Sequence, residues 1–249
     1  MNRPFVIISL VFLVFSNCLL AQQISQTPHS HEEIAFRPNQ GQFEGDFSHA
    51  IYTPRYAAYL NADGFTIGMS PIEALKAHHD SAHAYSEVMP AVPVFGFSWK
   101  FIGHNADASA EGEQSKTIVR NYFFGSQENW VTGLHDVEQV RRANIYSGID
   151  VLYKMHPKRH LEYDFIVEAG ADPSQIRWEL SGVEADIKGD EIIYTTPYGL
   201  VKEIIPEAYQ VIAGKKIAVD VSFIKVEEGF GFEIAEYDEN YELVIDPLL

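Results

Sequence analysis

Cysteine is almost absent from this chain. Cys18 is the only one among 249 residues, and it lies in an apolar N-terminal segment. A single thiol cannot form an internal disulfide, so packing and sheet hydrogen bonds must hold the fold together. Basic residues are also scarce, with 18 Lys and Arg against 35 Asp and Glu and a net charge of −17. Because duplex binding rests on neutralising phosphates, this balance argues against a nucleic-acid partner.

Several catalytic signatures are missing as well. No serine lies in a Gly-x-Ser-x-Gly elbow, the glycines are scattered over turns, and no phosphate-binding loop is present. The basic clusters Arg141-Arg142 and Lys158-Arg159-His160 are expected to be ordinary exposed residues. These absences predict that the chain is not an enzyme.

The N-terminus has the pattern of a secretory signal peptide. Residues 1–21 carry one positive charge, an apolar run over 5–15 and a small residue, Ala21, at the expected cleavage position. Cleavage there predicts a secreted or cell-surface protein with no transmembrane span in its mature form. Lipidation at Cys18 is the rival interpretation, although Asn17 before it is a poor small residue for that processing.

The clearest structural pattern is a predicted β-hairpin. Apolar and charged residues alternate in Ile149–Lys154 and again in Leu161–Val167, which is the period of half-buried strands. We expect an antiparallel pair in which Tyr153 lies opposite Leu161. The shared apolar face fixes the parity of this register, while its value remains open to a shift by two residues.

Further strands are predicted on both sides of this hairpin. Short strands separated by turn signals continue from 176 to 245, at a spacing typical of a sandwich or a pair of sheets. Four aromatic residues alternate along another strand, where we favour a core face over a sugar-stacking platform: Phe95, Phe97, Trp99 and Phe101. Residues 105–115 contain few apolar side chains and are predicted to be an exposed loop.

One helix and the domain limits complete the fold prediction. Ser70-Pro-Ile-Glu can cap a surface helix over 71–85. After a polar N-terminal lead over 22–33, residues 34–249 should form one β-rich domain, with sublobes 34–133 and 134–249 as an alternative division. The predicted class is all-β and mainly antiparallel, either a β-sandwich or two packed β lobes.

A histidine-rich stretch is the first candidate metal site. His79 and His83 would share a face of the predicted helix, which is the spacing that zinc sites use. Asp80 is a candidate third ligand. Two histidines are an incomplete set, so we favour a His-rich surface helix without a bound metal, and we expect no cofactor.

Acidic residues of the predicted hairpin are the second candidate. Glu162 and Asp164 share one strand face, and the expected register puts Asp150 across from Asp164. Carboxylates in such a group can bind calcium or act as acid and base in glycoside cleavage. A solvated sheet face is the interpretation that we favour.

Seven ordered motifs give the chain a family resemblance. They are Phe36-Arg-Pro-Asn-Gln-Gly-Gln-Phe, Asn121-Tyr-Phe-Phe-Gly, Trp130, Ile145–Tyr153, Leu161–Val167, Gly170-Ala-Asp-Pro and Leu243-Val-Ile-Asp-Pro. Over about residues 34–249 the chain resembles the uncharacterised N-terminal domain of bacterial SBBP-repeat surface proteins and of proteins with a gliding-motility-associated C-terminal domain. The resemblance implies a surface location and a structural or adhesive role, and it supplies no catalytic residues.

These observations lead to one functional prediction and one alternative. We expect an exported, non-enzymatic β domain of a cell-surface protein that acts as a scaffold or adhesion module. The resemblance implies downstream repeat or surface-anchoring modules as partners. A glycan or another protein is the expected ligand. The chain is then either a piece of a longer protein or a stand-alone copy of the domain. The alternative is a secreted carbohydrate-active or metal-dependent hydrolase that uses the acidic strand face or the His-rich helix.

Overall fold

The computed structural model describes residues 34–76, 92–156 and 161–248. The predicted fold class is confirmed, because these residues form a mainly antiparallel β structure. The strands in chain order are β1 Arg37–Pro38, β2 His49–Tyr52, β3 Tyr56–Asn61, β4 Gly64–Met69, β5 Phe95–Phe101, β6 Ala110–Tyr122, β7 Val131–Tyr146, β8 Ile149–Met155, β9 Leu161–Val167, β10 Arg177–Ser181, β11 Glu184–Lys188, β12 Glu191–Thr196, β13 Gly199–Ile212, β14 Lys215–Val219, β15 Val221–Val226, β16 Gly229–Ile234 and β17 Leu243–Leu248.

The strands make two sheets that pack face to face as a sandwich. The first sheet has the order β1-β2-β3-β4-β5-β10-β16-β15, and the second has the order β11-β12-β13-β17-β9-β8-β7-β6, with β14 added to β13. Strands β10, β15 and β16 therefore join a sheet that otherwise comes from the first part of the chain. The two sheets do not coincide with sublobes 34–133 and 134–249, and that boundary falls inside β7.

Aromatic side chains from both sheets fill the core between them. Phe65 on β4 stacks on Trp99 of its own sheet at 4.5 Å and meets Tyr163 of the second sheet at 5.4 Å between ring centroids. Phe101 contacts Phe165 across the sandwich at 5.7 Å. The core role predicted for the alternating aromatics of β5 is confirmed, since Phe97, Trp99 and Phe101 are buried and Phe95 packs against the core. Ring pairs of this kind add to the free energy of apolar burial.

The predicted hairpin is present as β8 and β9, with a different register. Tyr153 lies opposite Tyr163 rather than Leu161, which faces Met155. The predicted parity of the register is confirmed, whereas its predicted value was wrong by two residues. The observed register sets Lys154 opposite Glu162, whereas the expected one would have set two aspartates against each other, and like charges in direct opposition destabilise a sheet.

A second difference concerns the stretch that was predicted to be a loop. Ala110 and the residues that follow it belong to β6, which pairs with β7 at the edge of the second sheet. Because β6 is exposed over most of its length, its sequence carries no apolar alternation. Cross-strand pairs such as Glu113 with Arg141, 2.7 Å apart, support it instead.

Helical structure is limited in the described part of the chain. Residues 72–76 are helical, and the Leu75 amide donates to the Pro71 carbonyl oxygen at 3.1 Å, so the predicted helix start is confirmed. The remainder of the predicted helix to 85 and the predicted signal peptide over 1–21 lie outside the described residues. Within the three described ranges, no helix has both the length and the apolar character needed to cross a membrane.

Candidate functional site

Three carboxylates surround the ammonium group of Lys154 on the outer face of the second sheet. Its Nζ lies 2.8 Å from Asp164 Oδ2, 3.0 Å from Glu162 Oε1 and 3.8 Å from Asp246 Oδ2. Strands β8, β9 and β17 are neighbours in this sheet, so alternate outward residues of each converge. We call these four residues the acidic cluster.

Two carboxylates of the acidic cluster are shielded from water. Glu162 is 9% exposed and Asp164 is 6% exposed, so the expectation of a solvated face is wrong for both. Asp150, the third predicted member, is not part of the cluster. It lies opposite Ile166, accepts a hydrogen bond from the Asn144 amide at 2.8 Å and pairs with Arg141 at 3.1 Å. The shift of register by two residues accounts for its separation from Asp164.

Burial and charge repulsion alter the protonation of the acidic cluster. Burial, followed by the charge of Asp164, raises the pKa of Asp246 to about 8 against the opposing effect of Lys154. Burial likewise raises the pKa of Asp164, and the bond from Lys154 offsets only part of this effect. Burial disfavours the charge on Lys154, but its carboxylate partners outweigh burial and raise the pKa of its ammonium. Lys154 is therefore held as a cation, and the Asp246 carboxyl tends to retain a proton near neutral pH.

The geometry of the acidic cluster allows two kinds of chemistry. One oxygen each from Glu162, Asp164 and Asp246 lies within 4.8 Å of the others, a spacing that would suit a hard cation such as calcium. Paired carboxyls about 5 Å apart also serve retaining glycosidases. However, the Lys154 ammonium already lies among these oxygens. It supplies the positive charge that a metal ion would bring.

The predicted zinc ligands are not placed by the structure. His79, His83 and Asp80 lie outside the described residues, so the interpretation of this stretch stays a prediction.

A second polar group, which the sequence did not reveal, is buried in the core. Glu203 on β13 is fully buried and accepts hydrogen bonds from the hydroxyls of Tyr163 and Tyr194. Burial raises the pKa of its carboxyl to about 7, although the two tyrosine hydrogen bonds oppose this. The only sequence signal is position, since Glu203 shares a strand face with the half-buried Val201 and alternates with the exposed Lys202.

Arg142 is also buried, contrary to expectation. Its Nη1 donates to the carbonyl oxygen of Ala62 in the turn between β3 and β4, so the side chain spans the two sheets. Its neighbour Arg141 faces outward between Glu113 and Asp150. Adjacent residues of a strand point to opposite faces, and a pair of arginines in sequence therefore gives one inward guanidinium.

Strands β6 and β7 extend past the end of the neighbouring strand β8. Val140 lies opposite Tyr153, and β8 ends at Met155, so the first part of β7 continues past the end of β8. Leu248, the last residue of β17, lies opposite Glu162 near this same end. We call residues 116–137 the projecting hairpin.

The end of the projecting hairpin exposes aromatic rings. Phe123 is 59% exposed and Trp130 is 43% exposed, and their rings meet edge to face at 4.9 Å. Phe124 is exposed nearby and contacts Tyr122. We call Phe123, Phe124 and Trp130 the aromatic tip. Two apolar residues of β6, Ile118 and Val119, extend the exposed apolar surface along the hairpin.

Comparison with known proteins identifies only an uncharacterised family. No curated protein and no solved structure matches the chain. A family model described as a domain of unknown function matches residues 36–248, which is nearly the whole described structure. The chain belongs to this family, the domain of unknown function DUF7948.

Proposed function

We propose that this domain is a non-enzymatic interaction module of an exported cell-surface protein and that it makes its main contact through the aromatic tip. The observation that carries the proposal is the exposure of Phe123 and Trp130 at the end of a long hairpin. Large aromatic residues dominate the energetics of contact surfaces, and grouped exposure of such residues marks interaction sites.

The position of the aromatic tip supports a neighbouring module as the partner. The projecting hairpin and the end of β17 lie at the same end of the sandwich. A module attached after β17 would begin at this end of the sandwich, with β9 and β8 between it and β7, and could pack against the hairpin. This proposal agrees with the resemblance to N-terminal domains of SBBP-repeat and gliding-motility-associated surface proteins. The signal-peptide pattern of residues 1–21 supports export.

The acidic cluster favours a second candidate function, a metal-dependent or carbohydrate-active hydrolase. Its three close carboxyl oxygens and the raised pKa of Asp246 are features that catalytic sites share. Because Lys154 neutralises part of their charge, we place this function second. Millimolar calcium should leave the melting temperature unchanged if Lys154 is the resident cation, whereas a saturable rise would favour the second candidate.

Binding measurements with two double variants test the proposal. Phe123→Ser with Trp130→Ser removes the two exposed rings, and Val211→Ser with Tyr241→Ser removes exposed apolar surface at the opposite end of the second sheet. Two probes are used separately. One is a glycan array, and the other is a longer version of the protein that includes any residues encoded after Leu249. We expect binding or domain packing to be lost in the tip variant and kept in the control. Equal behaviour of the two variants with both probes would contradict the proposal.

A further inference from the structure

An open groove lies between β14 and the crossover that connects β16 to β17. Its volume is about 630 Å³, within the range of ligand sites. Ile212, Ile217 and Val219 of the β13 and β14 hairpin form an apolar floor. Residues 236–240 of the crossover form the opposite wall.

The wall of the groove is fixed by a buried glutamine. Gln210 Nε2 donates to the carbonyl oxygens of Asp238 at 2.8 Å and Tyr241 at 3.1 Å. Its Oε1 accepts from the Asp238 amide at 2.9 Å. The Gln210 side chain therefore both donates hydrogen bonds to the crossover backbone and accepts one from it. These bonds hold the crossover against β13 before any ligand binds.

The wall of the groove is acidic. Glu236, Asp238 and Glu239 are exposed along it, with the half-buried ring of Tyr237 between them. Backbone and side-chain hydrogen bonds from Asn240 lower the pKa of Asp238, so this carboxylate stays ionised well below neutral pH. Carboxylates beside an aromatic ring recognise ammonium and guanidinium groups.

Strand β14 offers an open edge to the same groove. Among the described residues it pairs only with β13, and Lys215–Ala218 is exposed. Lys216 alternates with Ile217 and so lies on the face of β14 away from the floor. Its ammonium lies over the Tyr209 ring at 3.8 Å and near Glu207. An unpaired strand edge binds extended peptides through main-chain hydrogen bonds.

We propose that this groove binds an extended peptide in which Lys or Arg alternates with apolar residues, added as a strand along β14. Alternate side chains of an added strand point to opposite faces. The basic ones would lie on the face of Ile217, beside the carboxylates of the wall, and the apolar ones on the opposite face, beside Val211 and Ala218. A second copy of this chain is a poor occupant, because its net charge of −17 would oppose approach to an acidic surface. The groove is remote from the aromatic tip in the strand order, so this proposal does not depend on the proposed function.

Peptide titration followed by NMR tests the proposal. The probe is the capped peptide Lys-Val-Lys-Val-Lys-Val, and the capped peptide Glu-Val-Glu-Val-Glu-Val has the same apolar content with opposite charge. Glu236→Gln with Glu239→Gln removes two charges from the wall. Glu227→Gln with Glu228→Gln removes the same charge from the turn between β15 and β16, at the far end of those strands.

We expect saturable amide shifts confined to β14 and residues 235–242 for the basic peptide and none for the acidic one. The wall variant should weaken binding about fivefold, since each exposed charge pair contributes little, and the turn variant should bind like the parent. Absence of saturable shifts at millimolar peptide would overturn the proposal. So would shifts spread over other acidic surfaces, or equal weakening by both double variants.

Discussion

The buried Glu203 carboxyl should make the stability of this domain depend on pH, and Glu203→Gln should remove that dependence. Tyr163 and Tyr194 both donate to this carboxyl in the core. A glutamine has nearly the same shape and stays neutral at every pH. Its oxygen can accept from one tyrosine, while its amide donates to the hydroxyl of the other, so the network can re-form at a cost of about 1 kcal/mol.

The magnitude follows from the two states of the Glu203 carboxyl. Its ordinary pKa is 4.5, and burial raises the pKa to about 7 in the folded protein. Between these values the folded state holds the proton more tightly than the unfolded state, so the free energy of unfolding falls as the pH rises. At ~1.4 kcal/mol for each pH unit, the parent should be about 3 kcal/mol less stable above pH 7 than below pH 4.5 because of this group.

The order of stability of the parent and the variant should therefore reverse between low and high pH. Glu203→Gln is expected to be about 1 kcal/mol less stable than the parent at pH 4.5 and about 2 kcal/mol more stable at pH 8. Urea unfolding followed by the fluorescence of the buried Trp99 and Trp178 measures both. Titrations common to the two proteins cancel in the difference. The exposed Glu184→Gln is the matched control and should show a flat difference.

A difference between parent and Glu203→Gln that stays constant from pH 4.5 to 8 would refute this reasoning. It would mean that the carboxyl is ionised in the folded core at all these pH values, or that water reaches it. A crossing curve with a midpoint between 4.5 and 7 would support the assignment, and the same curve should be absent in Glu184→Gln.

Three further predictions concern side chains near the two polar groups and a close strand approach. Tyr194→Phe removes one donor to Glu203, so it should cost about 1–2 kcal/mol and extend the pH-dependent fall in stability to higher pH, in the same urea series. Lys154→Met removes the cation of the acidic cluster. Because the pKa of Asp246 is raised to about 8, the change should cost about 2 kcal/mol at pH 9, where that carboxyl is ionised, and less at pH 5, where it is protonated, and equal losses at both pH values would contradict this. Gly64→Ala would press its Cβ against the Trp99 carbonyl oxygen of β5, so thermal unfolding should show a loss of more than about 2 kcal/mol, whereas Gly96→Ala meets only ordinary contacts and should change little.

Local patterns explain what the sequence could predict about the fold. The alternation in β8 and β9 predicted the strands, their buried face and the parity of their pairing, because side-chain direction follows directly from position in a strand. The alternation could not give the register, since the expected register and the observed one keep the same face inward. The opposition of Lys154 and Glu162 distinguishes them, and that preference amounts to less than about 1 kcal/mol for each pair.

Long-range pairing explains what the sequence could not predict about the site. Asp246 joins Glu162 and Asp164 because β17 returns to lie beside β9. No local pattern indicates that neighbour, so Asp150 was chosen from the same hairpin instead. Glu203 was missed for a related reason: its tyrosine partners come from β9 and β12, and a charged residue on a strand is ordinarily expected to face water.

The position of β17 inside the second sheet affects how the domain would carry mechanical load. Hydrogen bonds join β17 to β13 on one side and to β9 on the other, both in antiparallel orientation. Tension on Leu248 along the strand axis must shear both ladders together, whereas an outermost strand such as β6 can be peeled away one bond at a time. A pulling force transmitted through the end of β17 would therefore meet more resistance than the same force applied to an edge strand.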